Sequence, residues 1–302
     1  MDGTRTPPTT HKEALRRLKI NAQKEREEYA RKRRSPVYWM GLLASSSWRL
    51  VRKIICIICS FVWRYTAGRW IYIKVTGRPS HTEAATLRFV KAHTTIPVPT
   101  VLAQFSWRSL NYLFMTRAGG VPLEWTWHSL SDLQRQKVVA QLADYVAQLR
   151  RLPSPDDERI HSVAGGPVRD SRAYEGPECG PFRDEQHFNL QLRNGLTVED
   201  LSHCCPTLAS VHNKRHPIVF THGDLAPRNI MVAGTKVTAL IDWECAGWYP
   251  AHWEYCKAFW ASFGPDHTSW AAFFPQFIPS FYEEAEADIR LWEERWVPSV
   301  RV

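Results

Sequence analysis

The sequence lacks two features typical of secreted proteins. Residues 1–8, Met-Asp-Gly-Thr-Arg-Thr-Pro-Pro, are not a secretory signal. The seven cysteines are an odd number, which predicts reduced thiols and a cytoplasmic protein. A second cysteine pair is also missing, because Cys56 and Cys59 have the spacing of zinc ligands but no partner pair. They lie in an apolar run, so packing in a core is the favoured interpretation.

That apolar run, residues 54–63, is too short to span a membrane. Its ten residues fall short of the ~20 that a membrane-spanning helix needs. Its β-branched residues favour a buried strand. The basic residues on both flanks leave an interfacial helix as the alternative.

Acidic residues are scarce in the first quarter of the chain. Residues 1–74 hold 17 Lys and Arg against 5 Asp and Glu, a net charge of +12, whereas the remainder carries −3. The basic surplus therefore belongs to an N-terminal arm, predicted over residues 1–53 as partly disordered or helical, and argues against a nucleic-acid-binding core. A solvated run is the favoured interpretation of the basic residues 31–34. A nuclear address and a weak contact with an acidic membrane surface are the alternatives.

Three polar side chains stand beside short apolar runs in the second half of the chain. Asn229 and Asp242 lie at the two bases of a predicted hairpin, and Asp224 lies on the loop before it. The predicted strands cover residues 218–220, 230–232 and 237–241.

The spacing of these residues fits phosphoryl transfer. The reaction needs a carboxylate that orients and deprotonates the attacking hydroxyl, and oxygen ligands that hold magnesium against the nucleotide phosphates. In kinase catalytic loops the Asp stands five positions before the Asn, and the metal-binding Asp follows later. Asp224, Asn229 and Asp242 follow this order. A surface loop whose Asp and Asn only form turns is the alternative, which the ordered set with strands on both sides disfavours.

The residues around this set resemble a known family. His222-Gly-Asp224, Asn229 and Ile241-Asp-Trp-Glu244 are similar to the catalytic core of the aminoglycoside phosphotransferase and choline kinase-like family. Further similarity, to fungal-type members, lies in residues 83–90, 96–99 and 243–250, so the resemblance covers about residues 70–260. It implies an α+β, protein-kinase-like, two-lobed fold: a small antiparallel-sheet lobe over residues 54–118 and a mainly helical lobe over residues 119–302.

The resemblance also implies roles for single residues. Asp224 would be the catalytic base, Asn229 and Asp242 the ligands of Mg²⁺, and His222 a residue that shapes the loop. The nucleotide would be ATP. The backbone from Met115 to Arg117 would hydrogen-bond the adenine, although a strand end followed by a glycine turn explains the same residues.

Lys74 and Glu83 are a predicted pair for the nucleotide phosphates. Lys74 lies on a predicted strand over residues 70–75, and Glu83 shares one face of the next helix with Leu87 and Val90. A Glu on a buried face needs a cation, and Lys74 is the nearest in sequence. The competing interpretation is a capping box in which Glu83 pairs with Ser80.

One departure from the family pattern concerns the loop that holds phosphates. No glycine-rich loop precedes Lys74, since Gly68 stands alone and residues 45–47 are only a serine run.

Taken with the resemblance, the sequence predicts an ATP- and Mg²⁺-dependent phosphotransferase that acts on a small-molecule hydroxyl. A non-catalytic, kinase-like binding module is the alternative.

Three further predictions concern the larger lobe. Ser131 and Gln134 indicate a helix start, followed by apolar residues at spacings of three and four up to Pro153. Residues 153–189 are rich in Gly and Pro and predict a long loop, which could line the acceptor site. Helices are predicted over residues 183–213, 250–263 and 266–296, the last with a break at Pro279.

Overall fold

The computed structural model describes residues 67–77, 81–170, 178–260, 270 and 272–296. The chain divides into two compact units, Met1–Arg69 and Trp70–Val302. Of the first unit, the structure describes only a turn of 3-10 helix, Ala67–Arg69. The predictions for the arm, the run 54–63 and the cap at Ser80 therefore lie outside the described residues. The predicted domain boundaries stay predictions.

A three-stranded antiparallel sheet begins the second unit. Its strands are β1 (Ile71–Thr76), β2 (Val101–Trp107) and β3 (Leu110–Thr116), in the order β1-β3-β2. The predicted hairpin formed by β2 and β3 is present, with Trp107 opposite Leu110 beside the turn.

Helix α1 (His81–His93) connects β1 to β2. The exposed fraction of Glu83, Leu87 and Val90 is 3% or less, so these residues share one buried face as the sequence predicts. The extended link to β2 contains Pro97, whose carbonyl accepts a hydrogen bond from the backbone N–H of Leu240 at 2.8 Å. This bond ties the small sheet to the hairpin that carries the polar residues.

That hairpin is formed by β8 (Ile230–Ala233) and β9 (Lys236–Leu240), with Ile230 opposite Leu240. The short strand β4 (Val121–Pro122) extends it to three strands. A separate antiparallel pair joins β7 (Ile218–Thr221) to β10 (Gly247–Pro250).

The rest of the described chain is mainly helical. Helix α2 has the predicted capping box, in which the backbone N–H of Gln134 donates to Ser131 and the Gln134 side chain accepts from the backbone of Ser131. The helices are α2 (Asp132–Arg150), α3 (Glu185–Leu192), α4 (Val198–Cys204), α5 (Pro206–His212), α6 (Trp253–Trp260) and α7 (Tyr282–Trp296). No helix among the described residues is long and apolar enough to cross a bilayer.

Two sequence predictions need correction. The loop predicted over residues 153–189 contains a small ladder, β5 (Val168–Arg169) with β6 (Glu178–Cys179), and ends where α3 begins at Glu185. Pro250, predicted as the first residue of a helix, is instead the last residue of the buried strand β10, and the helix begins only at Trp253. Strand β10 has no alternation of polar and apolar residues, because both of its faces are buried.

Candidate active site

The loop that carries Asp224 is held by the buried carboxylate of Glu254 on α6. Glu254 accepts hydrogen bonds from the backbone N–H groups of His222 at 2.6 Å and Gly223 at 3.2 Å. Burial raises the pKa of Glu254, and the nearby His222 opposes that rise. Two N–H donors on one carboxylate fix the path of the chain immediately before Asp224.

His222 joins this loop to the strand end that precedes Asp242. Its Nδ1 accepts a hydrogen bond from the backbone N–H of Asp224 at 3.2 Å, and its Nε2 lies 3.2 Å from the carbonyl oxygen of Ile241. The two partners fit the neutral ring with its proton on Nε2. This geometry agrees with the loop-shaping role that the sequence predicts for His222.

Gly223 has a backbone conformation that no other residue would adopt easily here. Its φ is +77°, and an added Cβ would lie 2.5 Å from the carbonyl oxygen of Cys245. Because glycine has no Cβ, it permits both the left-handed conformation and the close approach of the two backbone segments.

Asp224 and Asn229 are in direct contact. The Asn229 Nδ2 group donates to the carboxylate of Asp224 at 2.8 Å and to its carbonyl oxygen at 2.9 Å. The second carboxylate oxygen of Asp224 accepts a hydrogen bond from Arg228 at 2.6 Å. With its nitrogen used in this way, Asn229 keeps its amide oxygen as the atom that could ligate a metal.

Asp242 lies beside Asn229 at the base of the hairpin. The backbone N–H of Ile241, the residue before Asp242, donates to the carbonyl oxygen of Asn229 at 3.0 Å. This bond holds the two backbone segments side by side. Asp242 itself is left-handed, with φ +64° and ψ +60°, a conformation that Asp tolerates better than most residues. The structure thus places Asp224, Asn229 and Asp242 on adjoining segments, as the sequence predicts.

Lys74 contacts three carboxylates. Its Nζ atom lies 2.8 Å from Glu83, 2.7 Å from Asp242 and 3.0 Å from Glu244. The predicted ion pair between Lys74 and Glu83 is therefore present. Although burial opposes the charge, Glu83 and Asp242 raise the pKa of Lys74 above its ordinary value, so the amine is cationic.

A second cation, Arg169, also contacts this cluster of carboxylates. It lies 3.0 Å from Glu244 and 3.3 Å from Glu178. The charge of Glu244 is thus shared between Lys74 and Arg169, and oxygens of Glu83, Asp242 and Glu244 all lie within 4.8 Å of one another. A set of oxygen atoms at this spacing can bind a hard cation in place of the lysine ammonium.

A known protein family matches the part of the chain that contains this site. The model of the phosphotransferase enzyme family matches residues 66–288, which include every residue of the site described above. The chain belongs to the phosphotransferase enzyme family. The comparison with curated proteins gave no match. The fungal-type subgroup stays a prediction.

Solved structures confirm the fold of the chain. The apo form of a thermostable mutant of aminoglycoside phosphotransferase APH(4)-Ia is 17% identical, with a TM-score of 0.50, and the match covers 74% of this chain and 78% of that one. A ternary complex of a related mutant with ADP and hygromycin B is 14% identical, with a TM-score of 0.51 and coverages of 74% and 77%. The chain therefore has the α+β, protein-kinase-like fold that the resemblance implies.

The predicted adenine-binding segment, Met115 to Arg117, lies at the end of β3. Met115 is buried in that strand, opposite Tyr72. The backbone N–H groups of Thr116 and Arg117 donate to the carbonyl oxygens of Thr100 at 2.9 Å and Trp70 at 2.7 Å. An adenine that used the N–H of Arg117 would have to replace its bond to Trp70, so this predicted contact stays a prediction.

Four residues of the site were not predicted from the sequence. Glu244 had a signal, because it directly follows the Asp-Trp pair of the motif, and Arg228 lies four positions after Asp224. Arg169 and Glu254 had none, because each reaches the site from a distant part of the chain.

Proposed function

We propose that the protein transfers the γ-phosphate of ATP to a hydroxyl group of a small molecule in a magnesium-dependent reaction. The observation that supports this most strongly is the contact between Asp224 and Asn229 beside Asp242, with Lys74 bound to Asp242. Membership of the phosphotransferase enzyme family gives the reaction class. The use of ATP, the need for magnesium and the kind of acceptor are our proposals.

The residues fit a magnesium ion by their chemistry. Asn229 offers an amide oxygen and Asp242 a carboxylate whose side chain is 40% exposed, and both are the hard oxygen ligands that Mg²⁺ prefers. When bound, the ion would neutralise the charge of the nucleotide phosphates. Lys74 is already at Asp242, and we infer that it moves its ammonium group onto the α- and β-phosphates when the nucleotide binds.

Asp224 is the proposed catalytic base. Its carboxylate is partly exposed and accepts hydrogen bonds from Asn229 and Arg228, which hold it in one orientation. The side chain of Arg228 is half-exposed. An acceptor hydroxyl would replace it as the partner of the Asp224 oxygen that Arg228 now contacts. Asp224 would then orient that hydroxyl and take its proton as the phosphoryl group transfers.

Nucleotide binding through Lys74, Glu83, Met115 and Arg117 is proposed from the family pattern. Two solved structures of this fold contain nucleotides, one with ADP and hygromycin B and one with AMP-PNP and hygromycin B. They show that this fold can hold a nucleotide and a hydroxylated small molecule together. For this chain we propose only the class of acceptor, which is a small molecule with a hydroxyl group.

A non-catalytic binding module is the second candidate. It is favoured by Arg228, which lies 2.6 Å from Asp224 and covers the proposed base, and by the absence of a glycine-rich loop before Lys74 in the sequence. Such a module would bind a ligand at the same residues without transferring phosphate. The intact set of Asp224, Asn229 and Asp242 argues against it.

Thermal denaturation with and without Mg-ATP separates the two candidates when it is combined with an assay of ATP consumption. A ligand that binds only the folded state raises its stability, by about 2.7 kcal/mol at 100 times its Kd. We expect stabilisation by Mg-ATP and its reduction in Lys74→Met, together with ATP consumption in a mixture of hydroxylated metabolites. As a control, Lys137→Met changes a lysine on α2 that takes no part in the site. Stabilisation without consumption would favour the binding module, and no stabilisation would contradict the proposed function.

A further inference from the structure

A second cluster of ligand-type side chains lies among the helices, apart from the Asp224 loop. Glu185 is on α3, His216 precedes β7, and His252 immediately precedes α6. Each residue offers one atom that could bind a metal, and these three atoms lie within 4.8 Å of one another. The Nδ1 atoms of His216 and His252 lie 2.7 Å and 3.6 Å from the same oxygen, Glu185 Oε1.

His252 brings an unsatisfied nitrogen to this cluster. Its exposed fraction is only 6%, and its Nδ1 has no hydrogen-bond partner among the described residues. The separation of 3.6 Å from Glu185 is too long for a hydrogen bond. A buried polar atom without a partner is rare in folded proteins and calls for an explanation.

One of the two measured distances fits a tetrahedral metal ion. Ligand atoms at ~2.0–2.2 Å from zinc in a tetrahedron lie roughly 3.4 Å from one another. The separation of 3.6 Å between His252 and Glu185 already matches that edge. The pair at 2.7 Å would have to open slightly, as the proton that His216 shares with Glu185 leaves to solvent and the metal takes its place.

The surroundings orient these ligands. The backbone N–H of His216 donates to the other oxygen of Glu185 at 2.7 Å, and His216 Nε2 lies 3.4 Å from Glu284. A carboxylate behind a histidine ligand fixes which ring nitrogen faces the metal. The ring of Phe281 lies 5.7 Å and 6.3 Å from the imidazoles of His216 and His252, and it provides an apolar wall.

We propose that Glu185, His216 and His252 bind a zinc ion, with a water molecule as the fourth ligand. Two imidazoles and one carboxylate suit zinc, whereas magnesium prefers an all-oxygen set such as that of Asn229 and Asp242. The ion would join α3, the start of β7 and the start of α6. Because Glu254 follows His252 by two residues and holds the Asp224 loop, the site would also steady the support of that loop.

The test measures zinc bound to the full-length protein. The protein is treated with a chelator, incubated with micromolar Zn²⁺, passed through gel filtration and analysed by mass spectrometry for metal content. We expect one zinc per chain in the wild type, and a zinc content at least tenfold lower in Glu185→Gln and His252→Gln. Circular dichroism checks that each variant is folded.

Two controls define the location of the ion. His212→Gln should keep its zinc, because His212 lines the same cavity but its Nδ1 is already bonded to Arg193 at 3.2 Å. Asp242→Asn should also keep it, which excludes the carboxylates around Lys74 as the zinc site. Loss of zinc in Asp242→Asn with retention in His252→Gln would overturn the proposal.

A spectroscopic measurement on the wild type does not depend on the folding of any variant. Cobalt(II) substituted for zinc in a tetrahedral nitrogen and oxygen site gives intense visible absorption bands, whereas octahedral cobalt absorbs weakly. We expect the tetrahedral bands at one equivalent of cobalt, and their loss on addition of zinc. A wild-type protein that is folded but retains no zinc and shows only weak cobalt bands would also overturn the proposal.

Discussion

Replacing Asp224 with Asn is expected to lower the rate of phosphoryl transfer by about 10²–10⁴-fold, the usual contribution of a positioned base. The amide has the shape of the carboxylate but cannot take the proton of the acceptor hydroxyl. The bond from Asn229 to the backbone carbonyl of residue 224 does not depend on that carboxylate, so the loop keeps its path. The measurement is steady-state ATP consumption with the acceptor, or ATP hydrolysis where no acceptor has been found.

Two comparisons make this result specific to catalysis. Stabilisation by Mg-ATP should be the same in Asp224→Asn as in the wild type, because the base does not contact the nucleotide in the proposed mechanism. Asp132→Asn is the matched exchange at an exposed position on α2, where the side chain is 86% exposed, and it should leave the rate unchanged. Full activity in Asp224→Asn would show that another residue is the base.

Gly223→Ala is expected to reduce both stability and activity. At φ +77° an alanine is strained, at a cost of roughly 1–3 kcal/mol in the free energy of unfolding. Its Cβ would also lie 2.5 Å from the carbonyl oxygen of Cys245, so either the loop or the segment after Asp242 must move. Since Gly223 lies between His222 and Asp224, that movement would displace the base as well.

Gly234→Ala separates backbone strain from the close approach. Gly234 has φ +62°, but an added Cβ there has no neighbour within 4 Å. Urea denaturation should show a loss of about 1 kcal/mol in Gly234→Ala, with activity retained. Gly223→Ala should lose at least about twice as much and most of its activity. Equal losses in both variants would mean that the contact with Cys245 has no energetic importance.

The sequence predicted those parts of the site that depend on local spacing. The order of Asp224, Asn229 and Asp242 could be read directly, because the loop and hairpin that bring them together are continuous in the chain. Glu83 was found because a lone acidic residue on the buried face of a helix needs a cation, and Lys74 supplies it.

The missed parts depend on contacts between distant segments. Glu244 joins Lys74 across 170 positions of the sequence, and Arg169 joins Glu244 across 75. Glu254 was missed because a glutamate on a helix is usually exposed to solvent, and only the fold turns this one toward two backbone N–H groups. Long-range pairing leaves no periodic pattern, so spacing alone could not have identified Arg169 and Glu254 or shown that Glu244 contacts Lys74.

In the proposed reaction, Asp242 exchanges the ammonium group of Lys74 for a metal ion that arrives with the nucleotide. Manganese can replace magnesium and is detected by electron paramagnetic resonance, so its binding can be titrated in the presence and absence of AMP-PNP. We expect tight manganese binding only with the nucleotide, and a loss of at least tenfold in affinity in Asp242→Asn but not in Asp132→Asn. Manganese binding that is independent of the nucleotide and unchanged in Asp242→Asn would contradict the proposed reaction.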